Sequence, residues 1–233
     1  MPRLLLSIAI LALTLAFPSF CQQQAPVSPC GQSAEPESKR LFGIVPNYRT
    51  SPCLQNYAPI TPKEKFVIAS QDSFDRGTVV LAAMFAGESQ LSNANPSFGQ
   101  GAAGYGRYLG TAYADFVIGD FMTEGIFPSL LHQDPRYFRR GAGGGWARLG
   151  YACSQIFVTH NDSGRAVFNY SEILGNSTAV AISNAYYADN RDARDAGVKL
   201  TSQLGIDMAA NVLKEFWPDL QRKFSRHPRH SND

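Results

Sequence analysis

Past its first twenty residues, the chain of 233 residues has no apolar run long enough to cross a bilayer. The longest clean stretch, residues 79–87, is about half the length of a spanning helix. That argues against a later spanning segment and leaves peripheral membrane contact open. The sequence also lacks Cys-x-x-Cys and His-Glu-x-x-His, the spacings that hold zinc. No serine sits in a Gly-x-Ser-x-Gly elbow. The glycines between Gly99 and Gly106 follow a loop and not a strand, so a dinucleotide site is unsupported. Charge of one sign is missing too. Twenty-one Lys and Arg face nineteen Asp and Glu, a net charge of +2. No global field directs the protein to nucleic acid. Sustained period-two alternation and Asn-Gly turns are absent, so strand signals are poor. Lysine is scarce, at 6 residues against 15 arginines. Arginine suits fixed ion pairs and carboxylate or phosphate recognition, and a base-composition habit of the genome explains the bias equally well.

What is present begins with a leader. Arg3 supplies a positive start, residues 4–17 an apolar segment, and Pro18 breaks it. Ser19 and Cys21 are small residues where a signal peptidase reads, so residues 1–21 are expected to be a signal peptide cleaved before Gln22. Lipidation at Cys21 is the weaker alternative, because Phe20 stands where a small residue is wanted. The expected location is therefore the periplasm or an outer-membrane-associated site. Residues 22–60 are rich in Gln, Pro, Ser and Glu and read as an extended arm. Within them the apolar stretch 41–46 is expected to dock onto the domain. Cys30 and Cys53, each preceded by Pro, are expected to form a disulfide in an oxidising compartment. Cys153 lies in a helical pattern and reads as a small buried residue.

Residues 61–220 predict one compact, mostly α domain: a bundle of about five to six helices rich in Gly and Ala. Thr61-Pro62-Lys63-Glu64 is a capping box with proline at the first helical position. The helical pattern runs to about Asn93, with a break near Asp75-Arg76-Gly77. A second helix covers about 103–127 and ends near Pro128. A glycine-rich hinge at 141–145 precedes a third helix over 146–159. A fourth starts with Ser171 as N-cap and reaches Tyr187. A fifth runs over 191–216, where Pro218 breaks or kinks it. Residues 221–233 read as a disordered basic tail. An outer-membrane β-barrel is the alternative, since barrel strands signal weakly in a single sequence. Small residues recur every four positions at Ala102, Gly106, Gly110 and Ala114, and again at Gly175, Ala179 and Ser183. Such stripes let helices approach closely, within the bundle or in a homo-oligomer.

Two short patterns carry candidate chemistry. His132 and Asp134 occupy one loop, His160 and Asp162 another, each histidine two residues before an aspartate. Such groups suit acid–base work oriented by carboxylates, or metal ligation. Glu124, with Asp120 four residues earlier on one helix face, is the third element of a candidate catalytic set of His132, Asp134, His160 and Glu124. The bland reading has the aspartates capping turns and the acids held in internal ion pairs. Arg136, Tyr137, Phe138, Arg139 and Arg140 form a cationic, aromatic turn suited to lipid head groups or an envelope protein. The same arginines suit pairing with the helix acids. No particular metal or cofactor is indicated.

Four strings, residues 129–139 (SLLHQDPRYFR), 168–176 (FNYSEILGN), 182–187 (ISNAYY) and 211–219 (NVLKEFWPD), are similar to those of a family of exported envelope proteins of soil bacteria. The resemblance spans residues 40–220. It implies a bacterial envelope location and brings neither an activity nor a functional residue. The sequence thus leads to an exported, non-catalytic helical protein that associates with a membrane or an envelope partner. Its rival is an envelope hydrolase, with or without a metal ion, acting on lipid, peptidoglycan or a phosphoester.

Overall fold

The computed structural model describes residues 39–51, 54, 57–189 and 191–225. The signal segment, Cys21, the Cys30–Cys53 pairing and the tail from residue 226 lie outside the described residues. The described residues are 66% helical, with only small sheets and no closed barrel among them, so the mostly-α bundle holds and the barrel alternative is not supported.

Helix α1 (Pro62–Ser73) starts as its capping box dictates. The Thr61 hydroxyl accepts from the Glu64 amide, and the Glu64 carboxylate accepts from the Thr61 amide at 2.7 Å. The expected break follows. Asp75 caps α2 (Arg76–Leu91) by accepting from the Gly77 amide at 2.6 Å. Gly77 is required here. A Cβ at this position would lie 1.7 Å from the Ile44 carbonyl oxygen, where the arm crosses the helix start. Gly77→Ala is expected to push the arm off α2 and destabilise the fold by about 1–3 kcal/mol, read as a lower urea midpoint with an unchanged helical signal.

One long rod comes next: α3 (Gly101–Asp120), a π-helical turn (Phe121–Ile126) and α4 (Phe127–Leu130). The sequence reading ends this helix near Pro128, two residues before the rod stops at Leu130. Proline has no N–H to give, and the π register absorbs the gap, with the Phe127 amide reaching back to the Met122 carbonyl. Helix α5 (Gly145–Ser154) is shorter than expected, because residues 158–161 are drawn into a sheet. Helix α6 (Tyr170–Tyr186) is capped by Asn169, not Ser171. The Asn169 side chain accepts from the Glu172 amide at 3.1 Å, while Ser171 donates to Gln133 at 2.7 Å. Helix α7 (Ala193–Ser225) continues through Pro218, so the expected break does not occur there. Arg148 clamps both sides of that proline by bonding Glu215 and Asp219.

The arm is structured where described. Strands β1 (Arg40–Leu41) and β2 (Val45–Pro46) form a small antiparallel pair. Leu41 is fully buried and Phe42 meets Trp217 edge-on at 4.5 Å, so the apolar stretch docks as expected. Asp75 anchors it further, taking bonds from Arg40 and from the Tyr48 hydroxyl at 2.9 Å. Strand β3 (Thr50–Ser51) pairs in parallel with β5 (Tyr137–Phe138). Strands β4 (Gln133–Asp134), β6 (Val158–Asn161) and β7 (Ala166–Phe168) make a three-stranded antiparallel sheet. These strands are too short for an alternation signal.

The interior departs from the usual rule. Its hydrophobic cluster is a knot of Ala86, Phe98, Tyr108 and Tyr187 at one end of the bundle. Elsewhere the buried positions are largely polar. Helix α1 buries Lys65, Asp72 and Ser73, while Phe66, Val67 and Phe74 on its other side are exposed. The small-residue stripe of α3 is not an internal seam: Gly106 and Gly110 face open space. Gly175 does meet the π turn closely, where a Cβ would lie 2.8 Å from Thr123.

Candidate functional site

The two histidine loops meet side by side in one small sheet. Antiparallel pairing of β4 and β6 sets Asp134 opposite His160. His160 is buried and lies edge-on to Phe138 at 5.1 Å. Burial holds its pKa below the ordinary histidine value, so it is neutral at pH 7. Asp134 is saturated: it accepts from the Arg136 guanidinium at 2.7 Å, the Arg136 amide at 2.9 Å and the Tyr57 hydroxyl at 2.9 Å. His132, by contrast, has an 83% exposed side chain and a left-handed backbone with φ of 54°. Its nearest acid is Asp162, at 3.6 Å, and that carboxylate also pairs with buried Lys65 at 2.7 Å. The aspartates of both loops are thus held in ion pairs, Asp134 with Arg136 and Asp162 with Lys65. Glu124 stands among a different set of partners altogether.

The Arg/aromatic turn is likewise turned inward. Tyr137 and Phe138 are buried, so their rings are not offered to a lipid surface. Arg136 pairs with Asp134 and covers the rings of Tyr57 and Phe138. Arg139 is half-buried, and its amide donates to the Ser51 carbonyl at 3.0 Å. Arg140 is exposed, and its guanidinium lies over Tyr151. The Tyr137 hydroxyl donates to Glu215 at 2.8 Å. Glu215 is fully buried and also accepts from the Arg140 amide, the Gly141 amide and Arg148. The glycine-rich hinge is thereby tied to α7.

The chemistry concentrates instead in the middle of the bundle. Arg49, carried in by the arm just before β3, is buried with its guanidinium 3.3 Å from Glu124. The negative charges around it are Glu124, Glu172, Asp207 and Asp72. Helix α1 supplies Asp72, α3 supplies Asp120, the π turn Glu124, α6 Glu172 and Asn176, and α7 Asp207 and Lys214. Seven ionisable groups from six elements thus share one low-dielectric space. A π turn widens the helix and re-aims its side chains, and such turns recur at functional sites. Here it points Glu124 inward.

Burial is the leading influence on Arg49, Asp72, Asp120, Glu124, Glu172 and Lys214, because desolvation penalises the charged form. It raises the carboxyls of Asp72, Asp120 and Glu124 above the usual carboxylate range, those of Asp120 and Glu124 strongly. It pushes Glu172 up to about 8, helped by the nearby Asp207. It lowers the Lys214 ammonium to about 8, helped by Arg49. Asn176 donates to both Glu172, at 3.1 Å, and Asp207, at 3.2 Å, which holds those two carboxyls together. Asp120 accepts from the Ser73 hydroxyl at 3.1 Å. One Glu124 oxygen, Oε2, is buried with no hydrogen-bond partner.

Two cavities, each of about 30 Å³, reach this cluster and share Arg49 and Thr123 as walls. The outer one opens beside Arg136, Asn169 and Glu172. The inner one is lined by Asp120, Glu124 and Asp207. Each has room for about two waters and not for an organic substrate. Among the described residues, no group of three or more His, Cys, Asp or Glu side chains is placed to hold a metal ion. Sequence reasoning named Glu124 and Asp120 but missed Arg49, Asp72, Glu172, Asp207 and Lys214. The one available signal was charge recurring on helices that also carry small residues. In comparisons with known proteins, no family model matches the chain, and neither a curated protein nor a solved structure is significantly similar to it.

Proposed function

We propose that this is an exported, non-catalytic envelope protein that attaches to the apolar phase of a lipid membrane through the outer faces of α1 and α2. The observation that carries the reading is the inversion of α1 and α2. Between Phe66 and Phe85 the exposed side chains are Phe66, Val67, Phe74, Val79, Val80, Met84 and Phe85, interrupted only by Gln71 and Arg76. Lys63 and Glu64 bound this surface at one end and Glu88 at the other. Contiguous apolar surface of this kind marks a membrane or protein contact, and charged residues at its rims suit the interface between hydrocarbon and head groups. No helix among the described residues is long and apolar enough to cross a membrane, so the contact is peripheral.

The hydrolase reading has less support. The candidate His132 faces solvent, His160 is packed against a ring, and Asp134 is fully occupied by Arg136 and Tyr57. The lipid contact also moves from the Arg136–Arg140 turn to α1 and α2.

Vesicle sedimentation with the full chain tests the proposal, using vesicles of phosphatidylethanolamine and phosphatidylglycerol. The wild type is expected to pellet with the vesicles. Phe74 and Met84 are 64% and 63% exposed, so Phe74→Asp with Met84→Asp removes two contacts while sparing the interior. The double variant is expected to bind about 100-fold more weakly, since each lost apolar contact is worth roughly tenfold. The leader segment is common to both proteins and cancels in the comparison. A wild type that stays in the supernatant, or a double variant that pellets as well as the wild type, removes the reading.

A further inference from the structure

The acid cluster poses a charge problem independent of any membrane. Five carboxyls, Asp72, Asp120, Glu124, Glu172 and Asp207, share the bundle interior with two cations, Arg49 and Lys214. A buried charge that is not paired is costly. With every carboxyl ionised, three negative charges would lack a counter-charge. Two carboxyls held close together in a buried space favour holding one proton over carrying two charges. Asn176 donates to both Glu172 and Asp207, at 3.1 and 3.2 Å, and the Asp72 charge is the one that bears most on Glu124. Asp120 has a hydroxyl neighbour in Ser73 and no adjacent cation in bonding contact among the described residues.

We propose that this interior is a proton-binding site that holds three protons in the folded protein. One is shared by Asp72 and Glu124, one by Glu172 and Asp207, and one rests on Asp120. The cluster is then electrically neutral, with two carboxylates balancing Arg49 and Lys214. The remaining acid of the region, Asp115 on α3, also lines the inner cavity, and its charge is met by the hydroxyls of Tyr186 and Tyr187, which both donate to it, and by the nearby Lys199 ammonium. Protons come from solvent and return to it along the two cavities. Glu172 lines the outer cavity and its partner Asp207 the inner one, so the second pair bridges them. The unpartnered Oε2 of Glu124, a residue that also lines the inner cavity, is placed to exchange its proton with a water there. The elevated carboxyls and the lowered ammonium of Lys214 agree with this distribution.

Infrared spectroscopy of the full chain at pH 7 tests the site directly. A protonated-carboxyl band is expected, and Glu124→Gln, Glu172→Gln and Asp120→Asn are each expected to remove about a third of it. Amide side chains imitate the protonated acids, so these variants should fold. An independent readout uses the wild type alone. Unfolding in unbuffered denaturant at pH 7 is expected to release about three protons, because exposed carboxyls ionise at that pH. No band in the folded wild type, a band unchanged in all three variants, or no proton release on unfolding overturns the proposal. None of these outcomes depends on whether the protein binds vesicles.

Discussion

Arg49→Met is expected to lower the unfolding free energy by about 3–5 kcal/mol at pH 7.5, because it strips a buried carboxylate cluster of its central cation. The guanidinium stands 3.3 Å from Glu124 and is surrounded by the charges of Asp72, Glu172 and Asp207. The loss should shrink as pH falls, and the sign follows from linkage. Glu172 has its pKa pushed up to about 8 in the folded protein, against an ordinary value near 4.3 when exposed. Between those values the folded state binds more protons than the unfolded chain, so stability declines as pH rises. It is fully present below the unfolded value and lost on passing the folded one. Without Arg49 the carboxyls are raised further, so the variant's decline should be steeper and should extend to higher pH. Above pH 8 Lys214 acts in the opposite direction. Its ammonium is lowered to about 8 in the fold, and the unfolded chain keeps its proton up to near 10.4. Urea denaturation followed by circular dichroism at pH 5.5, 7.5 and 9 checks both parts. Equal losses at pH 5.5 and 7.5 would contradict the account.

Glu215→Ala is expected to cost about 3–5 kcal/mol through a different mechanism, the orphaning of donors. Four groups converge on this fully buried carboxylate: the Tyr137 hydroxyl, the amides of Arg140 and Gly141, and the Arg148 guanidinium. Removing it leaves Arg148 with Asp219, the residue 215 carbonyl and the Phe216 ring, and releases the glycine-rich hinge from α7. Limited proteolysis should then cut at residues 141–145, which carry two glycines with left-handed φ. Arg148→Ala should lose less, because Glu215 would keep three of its donors. A variant with Glu215→Ala that melts with the wild type and resists protease would show the hinge to be held by something else.

How far the molecule could be read from its residues differs by level. Helix starts written in local chemistry were legible: the Thr61 box and the break at Asp75 stand where their side chains put them. Pro128 lies two residues before its helix ends at Leu130, close to where the sequence puts the stop. Pro218 reads as a break or kink, yet α7 continues through it beside the bonds from Arg148 to Glu215 and Asp219. Strands of two to four residues hold no period to detect, and β6 exists because β4 and β7 flank it. The site was legible only in part. Glu124 and Asp120 drew notice because they share a helix face. Their partners on α1, α6, α7 and the arm are distant in sequence, and nothing local marks Asp72 or Arg49 as inward. The histidines drew notice through their short spacing with aspartates, a pattern that sheet pairing and Lys65 account for here. The inverted faces of α1 and α2 escaped because periodicity finds an apolar stripe but not the side on which it lies.

The π turn has a consequence for how this chain can vary. An α-helix advances by roughly 100° per residue, so the widened turn at Phe121–Ile126 behaves as one residue inserted into a regular rod. Deleting a residue there would give back an ordinary helix, yet everything on one side would swing by about that angle relative to the other. Glu124 and Thr123 would leave the water-sized cavities, and Gly125 would no longer fit against Phe66. Length in this segment is therefore under tighter constraint than residue identity.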